Sequence, residues 1–264
     1  MKTTKNILFV SNVYPDANTT AAGKRTLQLM LLFVDENYKV SFASSSLKQS
    51  DQKVNLEQKN ITCFDFQIND ESFEKLIKEN HFDMVVFDRF YTEEQVGWMV
   101  DMHLPGALKV LDMQDFHALR LSREEFYFQG IDYTPLSLYE NQVAKRELAS
   151  LHRCDFSLVI SDYELNLLWR NFSIPQDKTL MLTMYYEKPE EQSPDYESRK
   201  DLLCVGNFLH KPNLEATRIL KHTIWPKVRT KLPEVNLHLY GAYPTAEVQQ
   251  MHLDTRKKQT LRFF

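Results

Sequence analysis

The amino-acid sequence predicts an α/β protein with two doubly wound domains in tandem, the second present only in part. Three observations carry this. Short apolar runs alternate with amphipathic helical patterns from the first residues onward, as in βαβ units around a parallel sheet. A fresh start of the same kind, Leu202-Leu203-Cys204-Val205-Gly206-Asn207-Phe208, comes at residue 201 of 264. Between the two lies 188–200, rich in acidic residues, with Pro189 and Pro194 and no aliphatic side chain, which reads as a linker. The expected organisation is therefore 1–187, a linker at 188–200, and a partial domain at 201–264.

The elements follow in order. Ile7 to Ser11 is a continuous apolar run, as expected of a central parallel strand buried on both faces. A loop with Pro15 and Asp16 leads to a helix opened near Gly23, whose Leu27, Met30, Leu31 and Val34 share one face. Strands are expected at Lys39 to Ala43, Ile61 to Phe66, Met84 to Asp88, Leu108 to Asp112 and Phe156 to Ser161, the last of this half. Helices are expected at Glu71 to Glu79, Thr92 to Met102 and Tyr139 to Leu151. Ser122 to Ser137 is aromatic and reads as irregular. Ser161 and Glu164 stand in capping-box order before a further helix. After the linker, Asn213 begins a helix with Ala216, Leu220, Ile224, Val228 and Leu232 on one face and a kink expected at Pro226. Val235 to Tyr240 and Thr260 to Phe264 read as strands, with a short helix from Ala246 between them.

Composition narrows the function. Hydrophobic residues make up 43 % and charged residues 26 %, with a net charge of −4. That balance gives no reason to expect nucleic acid or an anionic membrane as partner. No apolar run approaches the roughly 20 residues of a membrane helix, and Ile7 to Val10 is too short for a signal-peptide core. Cys63, Cys154 and Cys204 stand apart, without the spacing of a zinc site or a redox pair, so the chain reads as cytosolic. The first strand is followed by Ser11-Asn12-Val13-Tyr14-Pro15 and lacks the glycine-rich fingerprint of dinucleotide enzymes.

Several loose motifs, in this order, resemble one family. The N-terminal strand with its proline loop and Ala21-Ala22-Gly23, the segment Cys154 to Glu164, and Leu202 to Asn213 are similar to successive parts of GT-B glycosyltransferases. Within these, the chain resembles the large retaining group that uses nucleotide sugars (glycosyl transferases group 1, family 4-like). The resemblance implies two Rossmann-like domains, an acceptor domain and then a donor domain. It implies transfer of a sugar from a nucleotide-diphosphate donor to a hydroxyl of a glycan, lipid or small-molecule acceptor, with no cofactor and no obligatory metal. The family's donor domain continues past its third strand into a glutamate-containing segment that holds the donor's ribose and sugar. These 264 residues have no counterpart of it, so activity is expected to require more than they supply. A glycan- or partner-binding module derived from the acceptor domain is the alternative.

Candidate site residues lie where ligands collect in such folds, beyond the carboxyl ends of parallel strands. Asp115 and His117 follow a buried strand and are the candidate catalytic pair. The alternative is that His117 caps a helix and Asp115 is its N-terminal charge. Arg89, Glu94 and Arg120 are candidates for holding the acceptor; a structural ion pair of Arg89 with Asp88, Glu93 or Glu94 is equally compatible. Gly23, Gly206, Asn207 and Lys211 are candidates for the donor phosphates, with a plain tight turn as the other reading of Gly206. Lys24 and Arg25, positive charges at a helix start, read as surface cations, with an anionic ligand or a nearby carboxylate as the other reading. An unpaired edge at Leu202 to Val205 is expected to favour self-association.

Overall fold

The computed structural model describes residues 5–46, 55–186, 194–253 and 261–263. The chain divides into two compact units, Met1–Ala17 with Ala21–Tyr185, and Asn18–Thr20 with Tyr186–Phe264. Of the expected linker, 188–193 lie outside the described residues, and 194–200 are exposed turn and coil.

Among the described residues the first unit is built on seven strands: β1 (Asn6–Ser11), β2 (Lys39–Ser44), β3 (Ile61–Asp65), β4 (Met84–Asp88), β5 (Leu108–Asp112), β6 (Phe156–Val159) and β7 (Thr179–Met181). They form one parallel sheet in the order β3-β2-β1-β4-β5-β6-β7. Its helices are α1 (Ala21–Asp35), α2 (Ser72–Glu79), α3 (Phe90–His103), α4 (His117–Gln129), α5 (Gln142–Arg153) and α6 (Asp162–Phe172). Strand β1 shows why the sequence reads as it does. Leu8 and Val10 belong to the larger core cluster, Ile7 and Phe9 to a second one. Successive side chains point to opposite faces of a strand, so burial on both faces demands an unbroken apolar run.

Three expectations are corrected here. The segment from Ser122 does not become irregular at once, because α4 runs on to Gln129. It stops where Gly130 takes up φ 68° and its N–H returns to Phe126 and Tyr127 carbonyls. The strand at 156 is not the last, since β7 pairs with β6. The capping box is only half made: Ser161 Oγ accepts from Glu164 N, but the Glu164 carboxylate accepts from Phe116 N at 3.1 Å instead of reaching back.

The second unit holds β8 (Leu202–Val205), β9 (Leu237–Gly241) and β10 (Leu261–Phe263), parallel and in the order β10-β9-β8. Among the described residues β8 is paired on one side only, and Leu203 and Val205 are exposed. Helix α7 (Lys211–Ile219) passes through a π-helical turn, Leu220–Ile224, into α8 (Trp225–Lys231); α9 (Ala246–Leu253) follows β9. The π turn lies just before Pro226, the position of the expected kink. Pro226 has no N–H to continue the α ladder, and Trp225 N–H reaches back five residues to Leu220 O. Gly241, at φ 156°, lies so close to the end of β8 that a Cβ there would fall 1.7 Å from Gly206 O. Only glycine fits that position.

Candidate functional site

Strands β1, β4 and β5 are neighbours, so their carboxyl ends emerge side by side. Their last residues are Ser11, Asp88 and Asp112, all buried. Buried carboxylates need partners, and these have them. Ser11 Oγ donates to Asp88 Oδ2 at 2.7 Å. Gln114 Nε2 donates to Asp88 Oδ1 at 3.0 Å and to Asp112 Oδ2 at 3.2 Å. Arg25, from the first turns of α1, straddles Asp112: its Nε lies 3.0 and 3.1 Å from the two oxygens and its Nη2 2.9 Å from Oδ1. Burial pushes the Asp112 carboxyl up to about 6, against the opposing pull of Arg25. The reading of Arg25 as a surface cation is therefore corrected: its side chain is 3 % exposed.

The backbone beyond these strands is strained. Arg89, directly after β4, has φ 69° and ψ 158°, and Gln114, two residues after β5, has φ 63°. Non-glycine residues in such regions cost about 1–3 kcal/mol each and collect at functional sites. Arg89 N is tied to Asp112 O at 2.9 Å, which helps to hold the conformation. The same turn gives Arg89 Nη1 contacts with Tyr91 Oη at 2.8 Å and Asp88 Oδ2 at 3.4 Å.

Above this layer, the β5–α4 loop and the start of α4 carry Asp115, His117 and Arg120. Asp115 is engaged at both oxygens, Oδ2 by Arg120 Nε at 2.6 Å and Oδ1 by His117 Nδ1 at 3.1 Å. The His117 ring also meets the Phe90 and Tyr91 rings edge-on at 5.6 and 6.0 Å. Burial works against the imidazolium, but hydrogen bonding to Glu147 and the charge of Asp115 outweigh it, and the His117 pKa is raised. Burial raises the Tyr91 pKa; Arg89 is held charged in spite of its burial, chiefly by Asp88.

The N-terminus of α4 is filled by the protein's own acids. Glu147, from α5, accepts from His117 N at 3.1 Å and Ala118 N at 3.0 Å, and Glu164, from α6, accepts from Phe116 N. The groups that could receive an anion at this helix end already hold carboxylates. Burial raises the pKa of both acids.

Asp115, His117, Arg89 and Arg120 are thus brought together in the first unit. Glu94 lies one turn further along α3 and is forked by Arg146 at 2.9 and 3.2 Å. Gly23, also in the first unit, lies under the Asp16 backbone, where a Cβ would come within 2.5 Å of its N and O. In the second unit, Gly206 follows β8 and a Cβ there would touch the Asn213 side chain at 3.3 Å. Asn207 Oδ1 accepts from Leu209 N at 3.0 Å, Asn213 Nδ2 donates to Asn207 O, and Lys211 is the first residue of α7. Sequence reasoning missed Gln114, Tyr91 and Glu147, and named Arg25 and Glu164 only as a helix-start charge and a cap residue. Gln114 and Tyr91 flank residues it selected; Glu147 carries no local signal. Among the described residues no group of three or more His, Cys, Asp or Glu side chains is arranged to hold a metal ion, and no helix is long and apolar enough to cross a membrane.

No family model and no curated protein matches the sequence. Solved structures do resemble the fold. Sucrose-phosphate synthase from Thermosynechococcus elongatus matches at a TM-score of 0.59 and 14 % identity, over 98 % of this chain and 70 % of that one. The lipopolysaccharide outer core galactosyltransferase WaaB matches at 0.59 and 12 %, over 98 % and 67 %. A Listeria monocytogenes protein described as a UDP-N-acetylglucosamine 2-epimerase matches at 0.55 and 11 %, over 98 % and 68 %. With its two parallel-sheet units and these likenesses along nearly all its length, the chain has a fold of the GT-B glycosyltransferase type.

Proposed function

We propose that this chain serves in glycosyl transfer from a nucleotide-diphosphate sugar to an acceptor hydroxyl, with retention of configuration at the anomeric carbon. The observation that carries the reading is the cluster of Asp115, His117, Arg89 and Tyr91 on two strained strand ends of a GT-B-type fold. In the reaction, the bond from the anomeric carbon to the donor phosphate oxygen breaks. A bond to the acceptor oxygen forms, and the acceptor's proton leaves with the nucleoside diphosphate. Catalysis then rests on stabilising charge on the departing phosphate and on orienting the acceptor.

Each unit has its part. In the first, His117 hydrogen-bonds the reacting sugar or acceptor, with Asp115 orienting it; Arg89, Arg120 and Glu94 line the acceptor side. In the second, Gly206, Asn207 and Lys211 serve the donor phosphates, through backbone close to the ligand and a lysine charge.

The test is release of nucleoside diphosphate from UDP- and GDP-sugars by the full chain in the presence of glycan, lipid and small-molecule acceptors. Turnover of any pair would support the reading over the expectation that activity needs more than these 264 residues supply, and H117A should then be slower by about 100-fold, the usual scale for losing a proton-relaying side chain. No turnover with any pair, together with no binding of UDP or GDP by calorimetry, would refute the reading. Binding without turnover would favour the module that holds a glycan or partner without catalysis.

A further inference from the structure

The protonation of His117 is settled by what surrounds one of its ring nitrogens. Nδ1 faces Asp115 O at 3.1 Å, Asp115 Oδ1 at 3.1 Å and Glu147 Oε1 at 3.5 Å. A carbonyl and two carboxylates accept hydrogen bonds and offer none. A proton on Nδ1 offers this group its donor, whereas a bare Nδ1 would set a lone pair against all three oxygens. Neutral His117 therefore carries its hydrogen on Nδ1, and Nε2 is the nitrogen that gains or loses a proton. Among the described residues no partner is recorded for Nε2.

Glu147 does more than add charge. Its Oε1 accepts from the backbone N of His117 and its Oε2 from Ala118 N, at 3.1 and 3.0 Å, while Oε1 also faces the His117 ring. One carboxylate, on a residue 1 % exposed, thus grips the main chain and faces the side chain of the same histidine. Because α5 is packed on α4, the acid comes from a neighbouring helix, not from the loop that carries Asp115.

We propose that Glu147 is a positioning residue, which fixes His117 in the Nδ1-protonated tautomer and so presents Nε2 as the atom that meets a substrate oxygen. The word substrate rests on the transferase reading; the tautomer and its dependence on Glu147 do not. Neutral His117 then accepts a hydroxyl proton through Nε2, and its protonated form donates from Nε2 to an oxygen. The other charged or titratable groups around the ring are Asp115 in the preceding loop, Arg120 on α4, Arg89 and Tyr91 at the start of α3, and Glu164 on α6. Arg120 is bound to Asp115, and Glu164 to the Phe116 amide, which leaves Glu147 as the acid shared by backbone and ring.

The experiment is imidazole nitrogen NMR on the full chain, read as a function of pH. In wild-type protein the neutral His117 ring is expected as the Nδ1–H form, with a midpoint above that of an ordinary histidine. E147Q is expected to lower the midpoint and to shift part of the neutral ring to the Nε2–H form, because the amide can offer a donor to Nδ1 against the pull of the two Asp115 oxygens. D115N is expected to lower the midpoint while keeping the Nδ1–H form. E147D keeps the charge but draws it back by one methylene, and should give an intermediate midpoint even if E147Q does not fold. An Nε2–H form in wild-type protein overturns the proposal, as does a midpoint unmoved in either Glu147 variant. Failure of glycosyl transfer would leave these spectra as they are, so the two readings can fail separately.

Discussion

Arg25 and Asp112 lie 87 positions apart in sequence and meet as a buried ion pair, each side chain 3 % exposed. The pair joins the first helix to the end of the fifth strand. Arg25 Nη1 also donates to Leu182 O at 2.7 Å, just beyond β7. One guanidinium therefore ties early and late parts of the first unit together.

Removing that guanidinium should be costly. R25A leaves Asp112 buried beside Asp88 with Gln114 as its remaining side-chain donor, and breaking a buried pair from one side costs about 3–5 kcal/mol. Urea unfolding of the full chain is expected to show a loss of that order for the first unit. The double variant R25M/D112N, which removes both charges, should lose less than the sum of the single variants. A loss in R25A of under about 1 kcal/mol, the value of a surface pair, would show that the pair is not dehydrated in solution.

Asp112 also gives the stability a definite slope with pH. Burial raises its folded pKa to about 6 from 3.8. The folded chain therefore holds a proton that the unfolded chain has lost between those values. This contribution is complete below pH 3.8 and is lost as pH rises through about 6. The unfolding free energy of wild-type protein relative to D112N should fall by about 2 kcal/mol from pH 4 to pH 7, from the linkage between a pKa shift and stability. A flat difference across that range would contradict the burial of this carboxyl.

Gly241 isolates the second unit experimentally. G241A places a methyl group on Gly206 O in a backbone region that side chains avoid, and the combined clash and strain should cost at least about 3 kcal/mol. Hydrogen exchange should show loss of protection along β8 and β9, with β1 and β4 still protected. Unchanged protection in β8 and β9 would mean that the two strand ends separate without penalty.

Much of this architecture was legible because burial on both faces of a parallel sheet writes itself as apolar runs. The runs at Ile7, Met84 and Leu108 became β1, β4 and β5 with almost no change of boundary. Strand β7 was invisible because it is three residues long, with Leu180 and Met181 exposed. The continuation of α4 was hidden by Tyr127 and Phe128, large aromatics on its exposed side that blur the helical period. In the site, Asp115 and His117 were marked by their place after a strand. Arg25 showed only as a helix-start charge open to a nearby carboxylate, and Glu147 not at all, because each meets a partner far along the chain: 87 positions for Arg25 to Asp112, and 30 for Glu147 to the His117 amide. Local sequence does not say which residue closes such a pairing.

The strand order β3-β2-β1-β4-β5-β6-β7 has a consequence for how the first unit is made. Of the described strands, the first to be made lies in the interior of the sheet. The next two add outward on one side of it, and the remaining four add outward on the other. Every new strand therefore joins a free edge, and none has to wedge between two already paired. Domains tend to fold as they are synthesised, and this order lets the sheet grow in the sequence in which its strands arrive. Its outermost members, β3 and β7, are the last to arrive on their respective sides.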